Sequence, residues 1–580
     1  CSLQPPPLLK PLRDVLPVGS ALAEAWRRGY TWADWRKDAA AALTVSLVAL
    51  PLAMALAIAV GLPPQHGLYT AIIAGLVSPL LGGSRFQVSG PTAAFVVILA
   101  PIVSEHGLRG LIWTTLLAGV ILIVLGMAKF GRYINYVPYP VTTGFTAGIA
   151  VVIGTLALND FLGLGIQTWS EHYVSKLGQI GSRLPSLQPG EALVGGVALL
   201  SMALSQRWLR RVPGPVVGIG LGTLCAQLLA PLGIHVATIG NRFHYALPDG
   251  GTGNGIPPFA PILHWPGSAA IEWLAWPTWA ELQVLAVPAL VVAALAALES
   301  LLSAAVADGM AGTRHNPNAE LIGLGIGNLL SGLAGGIPAT GAIARTATNI
   351  QSGARSPLAA SMHALLILVY VVLLAPWMSA IPMATLAALL IMVAYRMSHW
   401  RQFVHMVQVA PRSDTWVLVA CFGFTVFVDM VAGVAVGVVL ASFLLVKRLA
   451  DLTQANVSHG TSGRHKKLDN LDLPEDTMVY HLNGSLFFAS VERAFERTGY
   501  LRDAIQTLII DVEEVPFIDM TGLVAMRTMI LDVQAKGRAV VLCGSPPLVQ
   551  QVLKELPEAS RAQVRSAPSV QATLKMLRVA

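Results

Sequence analysis

The segment Ser89-Gly90-Pro91-Thr92-Ala93 stands at the start of a long apolar run, where its glycine and proline interrupt a continuous helix. A second segment of the same kind, Ile337-Pro338-Ala339-Thr340-Gly341-Ala342, opens another apolar run. The prolines of the two segments lie 247 positions apart, and Pro51 and Glu299, which interrupt two other apolar runs, lie 248 apart. Near-equal offsets at two separate places predict an internal duplication.

Apolar runs recur on both sides of these segments. A helix that crosses a bilayer needs about 20 apolar residues. The sequence predicts fourteen spans, near 40–59, 66–82, 89–104, 109–128, 137–158, 192–208, 213–232, 284–307, 318–335, 339–352, 356–376, 380–395, 414–430 and 432–449. Seven spans precede the connection at 233–283 and seven follow it. An odd number of spans per copy would make the two copies inverted in the membrane.

The composition agrees with a membrane protein. Of the 580 residues, 54% are hydrophobic and 12% are charged, whereas a soluble domain is about a quarter charged. Because single hydrophobic cores stop growing at roughly 250–300 residues, lipid must solvate most of the apolar surface. The net charge of +7 comes from basic residues placed singly or in pairs at the ends of apolar runs. That distribution orients membrane helices and does not indicate a nucleic-acid surface.

Basic residues also predict the orientation of the chain. They follow the even-numbered spans at Arg85, Lys129, Arg132, Arg207, Arg210, Arg211, Arg314, Arg355, Arg396, Arg401, Arg412, Lys447 and Arg448. The opposite connections carry Arg109, Lys176, Arg183 and Arg242. The positive-inside rule therefore predicts that both termini lie in the cytoplasm. We expect the membrane to be a bacterial inner membrane. We expect a cytoplasmic N-terminal segment at 1–38 and a transmembrane domain at 39–450, with repeats at 39–232 and 284–450.

The composition changes after residue 450. A polar linker is predicted at 451–473, followed by a small α/β domain at 474–580. The strand-like runs are Met478–Leu482, Thr507–Val512 and Ala539–Leu542, and the helical patterns lie near 490–498, 521–536, 547–555 and 569–577.

The two interrupted helices predict an anion site. A broken helix leaves backbone N–H groups unpaired, which lipid does not tolerate unless they line a polar cavity. Two half-helix N-termini that face each other would offer these donors and positive dipole ends to an anion. Arg345 would add a cation or form an ion pair with Glu299, and Glu299 would couple transport to an ion or serve packing. Asp308, His315 and Glu320 are interpreted as a solvated cytoplasmic face.

Several motifs together resemble the sulfate permease (SulP) family of anion transporters, which carry a C-terminal STAS domain. They are Pro51-Leu-Ala-Met-Ala-Leu-Ala57, Gly61-Leu-Pro-Pro-Gln-His-Gly-Leu-Tyr69, Gly83-Ser-Arg-Phe-Gln-Val-Ser-Gly-Pro-Thr92, Glu299-Ser300 and Asn318-Ala-Glu-Leu-Ile-Gly-Leu-Gly-Ile-Gly-Asn328. The resemblance covers nearly the whole chain. It implies a UraA-like helical fold of fourteen spans, arranged as a 7+7 inverted repeat with core and gate domains, and a homodimer with elevator-like alternating access.

The resemblance also implies site residues. The substrate would lie between the third and tenth spans, with the first and eighth contributing. The substrate-binding residues would be Leu52, Leu56, Thr92, Ala93, Gly341, Ala342, Ala344 and Arg345, and the coupling residues Glu299 and Ser303.

Three departures from the family pattern bear on the substrate. Many relatives have glutamine at Leu52, an aromatic residue at Leu56 and serine at Ala344, so the pocket here should be roomier and poorer in hydroxyl groups. The sequence looks most like the dicarboxylic-acid uptake (DauA-like) branch. That likeness implies proton-coupled uptake of C4-dicarboxylates such as succinate, fumarate and aspartate. A carrier of sulfate or bicarbonate, and an uncoupled anion channel of the same fold, remain alternatives.

The C-terminal domain resembles the STAS domain at Asp511-Val512 and at Phe517-Ile-Asp-Met-Thr-Gly522. Thr521 lies near the position that is phosphorylated in anti-sigma-factor antagonists, so Asp519 and Thr521 could be regulatory. Alternatively, one of them caps the helix that follows. We expect the domain to regulate transport or to contact a cytoplasmic protein partner, and a membrane sensor that signals through it is a further alternative.

The sequence does not favour an enzyme. It contains no HExxH, GxSxG or GxxxxGK[ST] pattern. Its four cysteines are far apart and predict no metal site. We therefore expect no cofactor and no metal.

Overall fold

The computed structural model describes residues 18–132, 138–170, 172–208, 212–246, 251–267, 274–459, 473–495 and 505–579. The chain divides into two compact units, residues 1–438 and 439–580. The boundary falls inside a helix, Met430–Leu452.

The first unit is helical. Its helices are α1 (Ser20–Arg27), α2 (Trp32–Val60), α3 (Pro64–Leu81), α4 (Ala93–Met127), α5 (Tyr139–Leu162), α6 (Tyr173–Arg183), α7 (Pro189–Trp208), α8 (Gly214–Leu229), α9 (Ile239–Arg242), α10 (Trp279–Ala311), α11 (Pro317–Leu333), α12 (Ile343–Gln351), α13 (Pro357–Ser379), α14 (Met383–Met397), α15 (Trp400–Val409), α16 (Arg412–Phe427) and α17 (Met430–Leu452). Short strands are β1 (Ser89–Gly90), β2 (His244–Ala246), β3 (Thr252–Asn254) and β4 (Thr340–Gly341).

Each predicted span coincides with a helix, and two of them form the halves of α4, which is broken at Gly107 (φ 63°). By length and composition alone, 8 helices in the described part of the chain can cross a membrane, or 9 when the bent α6–α7 pair counts as one span. This confirms a multi-pass membrane protein. The predicted number of fourteen spans is not confirmed by this criterion, because α12 and several other helices are too short or too polar to meet it.

The helices form two groups. The first group packs α2, α3 and α4 against α10, α11, α12 and α13, and the second packs α5, α7, α8, α14 and α16 together. Each half of the chain thus gives its first helices to one group and its later helices to the other, as an internal repeat requires. Glycines allow close approach within the first group: an ideal Cβ on Gly119 of α4 would lie 2.9 Å from the carbonyl oxygen of Gly325 on α11.

The two repeats meet where β1 pairs with β4. The strands are antiparallel, with Ser89 opposite Gly341 and Gly90 opposite Thr340. A twofold that exchanges the strands therefore carries Gly90 onto Gly341. The two prolines used to align the repeats are not equivalent, because one lies two residues before α4 and the other five before α12. The internal duplication is retained, but equivalent residues of the two repeats are identified by the pairing of β1 with β4 and not by the two prolines.

The second unit, beyond its share of α17, is an α/β domain. Its sheet has the order β5 (Gln454–His459), β6 (Thr477–Asn483), β7 (Thr507–Glu514), β8 (Ala539–Cys543) and β9 (Val564–Ala567). β5 is antiparallel to β6, and the remaining pairs are parallel. The helices are α18 (Val491–Phe495), α19 (Met520–Ala535), α20 (Pro546–Glu555), α21 (Glu558–Arg561) and α22 (Val570–Val579).

Hydrophobic side chains on both faces of this sheet explain its layers. Ile510 and Leu542 belong to the core on the face covered by Met526 of α19, whereas Ile509 belongs to the core that includes Leu574 of α22. The sequence predicted β6, β7 and β8 but neither edge strand. β5 lies in the range interpreted as a linker, and residues 460–472 of that range lie outside the described residues.

Candidate functional site

The candidate site is built where α4 and α12 begin. Thr92 is the N-cap residue of α4 and Ala342 that of α12, and neither helix end receives a side-chain cap from the described residues. Their lead-in strands β1 and β4 are paired, so the two ends lie close together. Backbone N–H groups in the first turn of a helix have no partner within the helix. Two such ends together offer donors and positive dipoles to an anion.

Thr92 connects this place to α10. Its Oγ1 donates a hydrogen bond to Oε2 of Glu299, 2.9 Å away. Glu299 is partly buried near the middle of α10. The carboxylate predicted as the coupling group therefore lies beside the N-terminus of α4.

Arg345 reaches across from α12. Its side chain is buried, with 2% of the residue exposed, and Nη2 donates to the carbonyl oxygen of Pro91. Nε and Nη1 have no hydrogen-bond partner among the residues that the structure describes. An ideal Cβ on Gly90 would lie 2.6 Å from Nη1. Glycine at position 90 therefore makes room for the guanidinium group.

The alternative ion pair between Arg345 and Glu299 is not formed. No salt bridge within 4.0 Å joins the two side chains in the described part of the chain. Arginine carries five N–H donors. Among the described residues, Nη2 donates to Pro91, and Nε and Nη1 remain available to another acceptor.

The other predicted substrate residues lie at different depths. Leu56, Ala93, Gly341 and Ala342 are buried, and Ala344 is exposed. Leu52 is partly buried against Ala198, Met202, Ala388 and Leu389, which belong to the second helix group.

Ser303, predicted to take part in coupling, has a different contact. It is buried on α10, and its Oγ donates to Oγ1 of Thr346 on α12 at 3.2 Å. This bond joins two helices of the first group.

The interpretation of Asp308, His315 and Glu320 as a solvated face is wrong. Glu320 is 1% exposed and accepts hydrogen bonds from the backbone N–H groups of Gly83 and Ser84, both at 2.8 Å. Nδ1 of His315 lies 2.7 Å from Oδ2 of Asp308, and both side chains are mostly buried. The carboxylates are buried because they accept hydrogen bonds from backbone N–H groups in loops. The positions of Asp308 and Glu320 in the sequence do not reveal these partners.

Gln87 was missed by the sequence analysis. It is buried, and its Nε2 donates to Oγ of Ser300 at 2.5 Å and to Oε1 of Glu320 at 2.8 Å. The signal available was a single amide within an apolar and glycine-rich stretch. A single amide in the sequence does not show which residues it will bond, so Ser300 and Glu320 could not be predicted as the partners of Gln87.

In the second unit, Asp519 is the N-cap of α19. Its Oδ1 accepts from the N–H of Gly522 at 2.8 Å, and Oδ2 accepts from the N–H of Phe488 at 3.0 Å. The capping alternative is confirmed for Asp519, while Thr521 is exposed. A regulatory role of either residue stays a prediction.

A buried histidine in the same unit was also missed. Nδ1 of His481 lies 2.7 Å from Oδ2 of Asp511, and Nε2 lies 3.3 Å from Oε2 of Glu514. The hydrogen bond to Asp511 raises the pKa of His481, against the opposing effect of burial. In the part of the chain that the structure describes, no group of three or more His, Cys, Asp or Glu residues could hold a metal ion.

Comparison with known proteins identifies relatives and structures with a similar fold. A curated relative, the "Putative sulfate transporter YvdB" of Bacillus subtilis, is 34% identical over 496 residues, which are 85% of this chain and 88% of the relative. The "Bicarbonate transporter BicA" of a Picosynechococcus species is 28% identical over 542 residues, 90% of each chain. The solved transmembrane domain of a cyanobacterial BicA covers 71% of this chain with 27% identity and a TM-score of 0.58. A structure of SLC26A9 shares the fold over 99% of this chain, with a TM-score of 0.82 and 18% identity.

The fold, together with these likenesses, defines a membrane transporter of anions and not an enzyme. The chain belongs to the sulfate permease family, whose model matches residues 35–421, and it carries a STAS domain matched at residues 470–561. The family and the STAS domain expected from the motifs are thus confirmed. YvdB and BicA are named as sulfate and bicarbonate transporters, and neither name establishes the dicarboxylate branch.

Proposed function

We propose that this protein is a secondary active transporter that binds a small anion between the N-termini of α4 and α12. The observation that carries the proposal is that two uncapped helix ends meet where β1 pairs with β4, a place that we call the β1–β4 crossing. Glu299 is hydrogen-bonded to Thr92 there, and the Arg345 guanidinium group is buried alongside. In a membrane, free backbone donors of this kind are tolerated where they line a binding cavity.

Each part of the site has a role in binding. The anion accepts hydrogen bonds from the first-turn N–H groups of the two helices, next to Thr92, Ala93, Ala342 and Ala344, with Gly341 behind them. Arg345 supplies positive charge through its unused donors. Leu52 and Leu56 form an apolar wall, which suits a substrate with a hydrocarbon stem.

Glu299 is the coupling group in this proposal, with Ser303 holding α10 to α12 behind it. A charged carboxylate beside the site repels an incoming anion, and a bound proton removes that repulsion. Because Glu299 is partly buried and hydrogen-bonded to Thr92, its charge and the occupancy of the site depend on each other. A proton therefore enters with the anion.

For the substrate we propose C4-dicarboxylates such as succinate, fumarate and aspartate. The supporting observation is the apolar character of Leu52, Leu56, Ala93 and Ala344, which leaves few side-chain hydroxyl groups for a fully hydrated inorganic ion. The second candidate is an inorganic anion, either sulfate or bicarbonate. It is favoured by the names of YvdB and BicA, which describe sulfate and bicarbonate transport.

Movement of one helix group against the other would give alternating access. Leu52 of the first group packs on α7 and α14 of the second, so the site lies next to the surface along which such an elevator would move. We further propose a homodimer in the bacterial inner membrane, as the family resemblance implies. Both termini would lie in the cytoplasm, as the distribution of basic residues predicts.

Uptake into proteoliposomes tests the proposal. Radiolabelled succinate is offered with and without an inward proton gradient, and unlabelled fumarate, sulfate and bicarbonate compete. We expect the gradient to drive accumulation, fumarate to block it, and Glu299→Gln to abolish the response to the gradient. The matched control is Glu105→Gln, which removes an exposed carboxylate on α4 and should leave uptake within about twofold.

The outcomes separate the parts of the proposal. If the vesicles accumulate sulfate or bicarbonate but not succinate, the proposed dicarboxylate substrate is rejected, while the proposal of an anion carrier is retained. Uptake that never exceeds the equilibrium level of the anion, under any gradient, would indicate an uncoupled channel. A gradient response that survives in Glu299→Gln would reject Glu299 as the coupling group.

A further inference from the structure

The segment that leads into α4 is held by one buried amide. This first lead-in comprises residues 85–92, and Gln87 lies within it with 2% of its surface exposed. One nitrogen, Nε2, donates both to Ser300 on α10 and to Glu320 on α11, at 2.5 and 2.8 Å. Three separate pieces of the first helix group are thereby joined at a single side chain.

Glu320 holds the two residues that precede the first lead-in, as well as Gln87 within it. Its Oε2 accepts from the N–H groups of Gly83 and Ser84, while Oε1 accepts from Gln87. A buried carboxylate is costly unless donors satisfy it. Among the described residues, three donors come from the chain that runs from α3 to β1, and the Ser300 hydroxyl also hydrogen-bonds Glu320. The carboxylate and Gln87 therefore act as one connected network.

The network of Gln87 and Glu320 contacts both the β1–β4 strand pair and α10, the helix that carries Glu299. An ideal Cβ on Gly341 would lie 2.3 Å from Nε2 of Gln87 and 3.0 Å from Cα of Ser300. The amide is thus packed directly against β4. Ser300 is the neighbour of Glu299 in the chain. A shift of Gln87 must move the α12 lead-in, the backbone beside Glu299, or both.

The second lead-in, residues 335–342, has no equivalent amide. The twofold that carries Gly90 onto Gly341 carries Gln87 onto Pro338, which has no side-chain donor. The second lead-in is fastened differently: Asn328 bonds the backbone of Ala339 at 2.8 and 2.9 Å, and Thr70 bonds the carbonyl oxygen of Ile337 at 2.8 Å. Thr340 also joins the second lead-in to α10, since its Oγ1 donates to the carbonyl oxygen of Ala296 at 2.8 Å.

We propose that Gln87 is a positioning residue of the anion site. By joining Ser300 to Glu320 against Gly341, it holds α10 and the β1–β4 crossing in the arrangement that binds the anion. The inference rests on the proposed location of the site between α4 and α12. It does not depend on which anion is carried or on proton coupling.

The expected effect is on affinity. When a protein adopts its binding-competent arrangement for only part of the time, the apparent dissociation constant rises in inverse proportion to that fraction. Removal of a buried hydrogen bond with its partners left in place commonly changes an equilibrium by roughly tenfold. We therefore expect Gln87→Met, which keeps the length and loses the amide, to raise the KM of uptake about tenfold. The maximal rate per folded transporter should change less than about twofold.

The experiment measures KM and maximal rate in proteoliposomes without a proton gradient, with whichever of succinate, sulfate and bicarbonate the wild-type vesicles take up fastest as the probe. Gln87→Met, Ser300→Ala and the double variant form a cycle. If both act through the same bond, the double variant should raise KM no further than the larger single variant. Gln87→Asn should restore KM partly, since it returns a shorter amide.

Thr115→Val is the matched control. It removes a buried hydroxyl that donates to the Leu111 carbonyl oxygen of its own helix, at 2.8 Å, and that bonds no other helix in the part of the chain that the structure describes, so KM should stay within about twofold. A merely structural role of Gln87 would lower the thermal midpoint and the yield while leaving KM of the folded protein unchanged, and that result would overturn the proposal. So would multiplicative effects of Gln87→Met and Ser300→Ala.

Failure of the proposed function gives a different result. If Arg345→Met and Ala342→Ser leave KM at the wild-type value while Gln87→Met raises it, the anion does not bind at the proposed site. If instead those two variants raise KM and Gln87→Met does not, the site stands and the positioning role is rejected.

Discussion

The two helices that begin at the candidate site differ from α10 and α13 in how they begin. α10 starts with a capping box, in which Thr278 accepts from the N–H of Glu281 at 3.3 Å and Glu281 accepts from the N–H of Thr278 at 2.7 Å. α13 starts at Ser356, whose Oγ accepts from the N–H of Leu358 at 3.2 Å. α4 and α12 receive no such side-chain cap from the residues that the structure describes.

The difference is informative because a cap was available. Thr92 is a residue type that commonly caps helices, yet its hydroxyl donates to Glu299. Ala342, at the start of α12, has no side-chain oxygen at all. The starts of α10 and α13 are satisfied by their own side chains, whereas these two keep their donors for another acceptor. Lack of a side-chain cap is shared by other helices, such as α3, α5 and α14; what distinguishes α4 and α12 is that the pairing of β1 with β4 brings their two uncapped ends together.

The largest expected effect comes from removing the cation beside these ends. Arg345→Met should reduce anion uptake by roughly 100-fold, because loss of one partner of a buried charge-assisted bond costs about 2–5 kcal/mol. Arg345→Lys should recover part of this, since an ammonium keeps the charge but lacks the planar fork. The measurement is initial uptake, corrected for folded protein in the vesicles.

The control for Arg345 is Arg314→Met, at an exposed arginine of a connection, which should change uptake less than about twofold. If Arg345→Met lowered protein yield but transported normally per folded molecule, the bond to Pro91 would be a purely structural contact. The contrast between the uncapped ends and their neighbours would then rest on backbone donors alone.

A second variant gives α12 the cap that it lacks. Ala342→Ser places a hydroxyl where it can accept from the first-turn N–H groups, which stabilises a helix by about 1 kcal/mol. We expect a higher thermal midpoint together with a KM raised about tenfold, because the new hydroxyl competes with the anion for the same donors. Both quantities are measured on one purified sample.

The decisive feature of this test is that Ala342→Ser should raise the stability of the protein while it lowers the affinity for the anion. Ala380→Ser, at the C-terminal end of α13, should change neither by much. A variant Ala342→Ser that bound the anion as tightly as wild type would mean that the α12 donors are not used by the substrate.

Much of this architecture could be predicted from the sequence, and particular residues show why. Glycine and proline interrupt helices by local sterics, so the breaks at 89–93 and 337–342 are visible in the chain itself. Apolar runs reveal the helices, and basic residues at their ends predict the orientation. The strands Thr507–Val512 and Ala539–Leu542 were recognised because buried parallel strands read as continuous apolar runs.

What the sequence could not predict depends on long-range contacts. Glu320 was interpreted as solvated because its helix begins near a connection, whereas its burial is explained by hydrogen bonds from residues 83–87 and from Ser300. The edge strands β5 and β9 are short and polar enough to resemble linker and loop. The prolines suggested an offset for the repeats, yet the pairing of β1 with β4 sets it. In each case the partner is distant in the chain.

A smaller effect is expected when a neighbouring helix loses its cap. Thr278→Ala should lower the stability of the membrane unit by about 1 kcal/mol, because the N–H of Glu281 loses its acceptor. KM should remain within about twofold, since α10 begins away from the crossing. Thermal denaturation in detergent and uptake kinetics check the two halves of the prediction. Thr44→Ala, which removes an exposed hydroxyl from α2, is the control and should shift stability by less than about 0.5 kcal/mol.

The smallest effect concerns α19 of the STAS unit, which resembles the capped neighbours and not the uncapped pair. Asp519→Ala should destabilise the start of α19 by about 1 kcal/mol, because the N–H of Gly522 loses its acceptor 2.8 Å away. Thr521→Val should have almost no effect on stability, since the side chain is exposed. Hydrogen exchange at Gly522 in the full-length protein measures this locally: exchange should speed up roughly fivefold in the first variant and stay unchanged in the second. Equal acceleration in both variants would show that Thr521 shares the capping role, and would remove its exposed hydroxyl as a free site for phosphorylation.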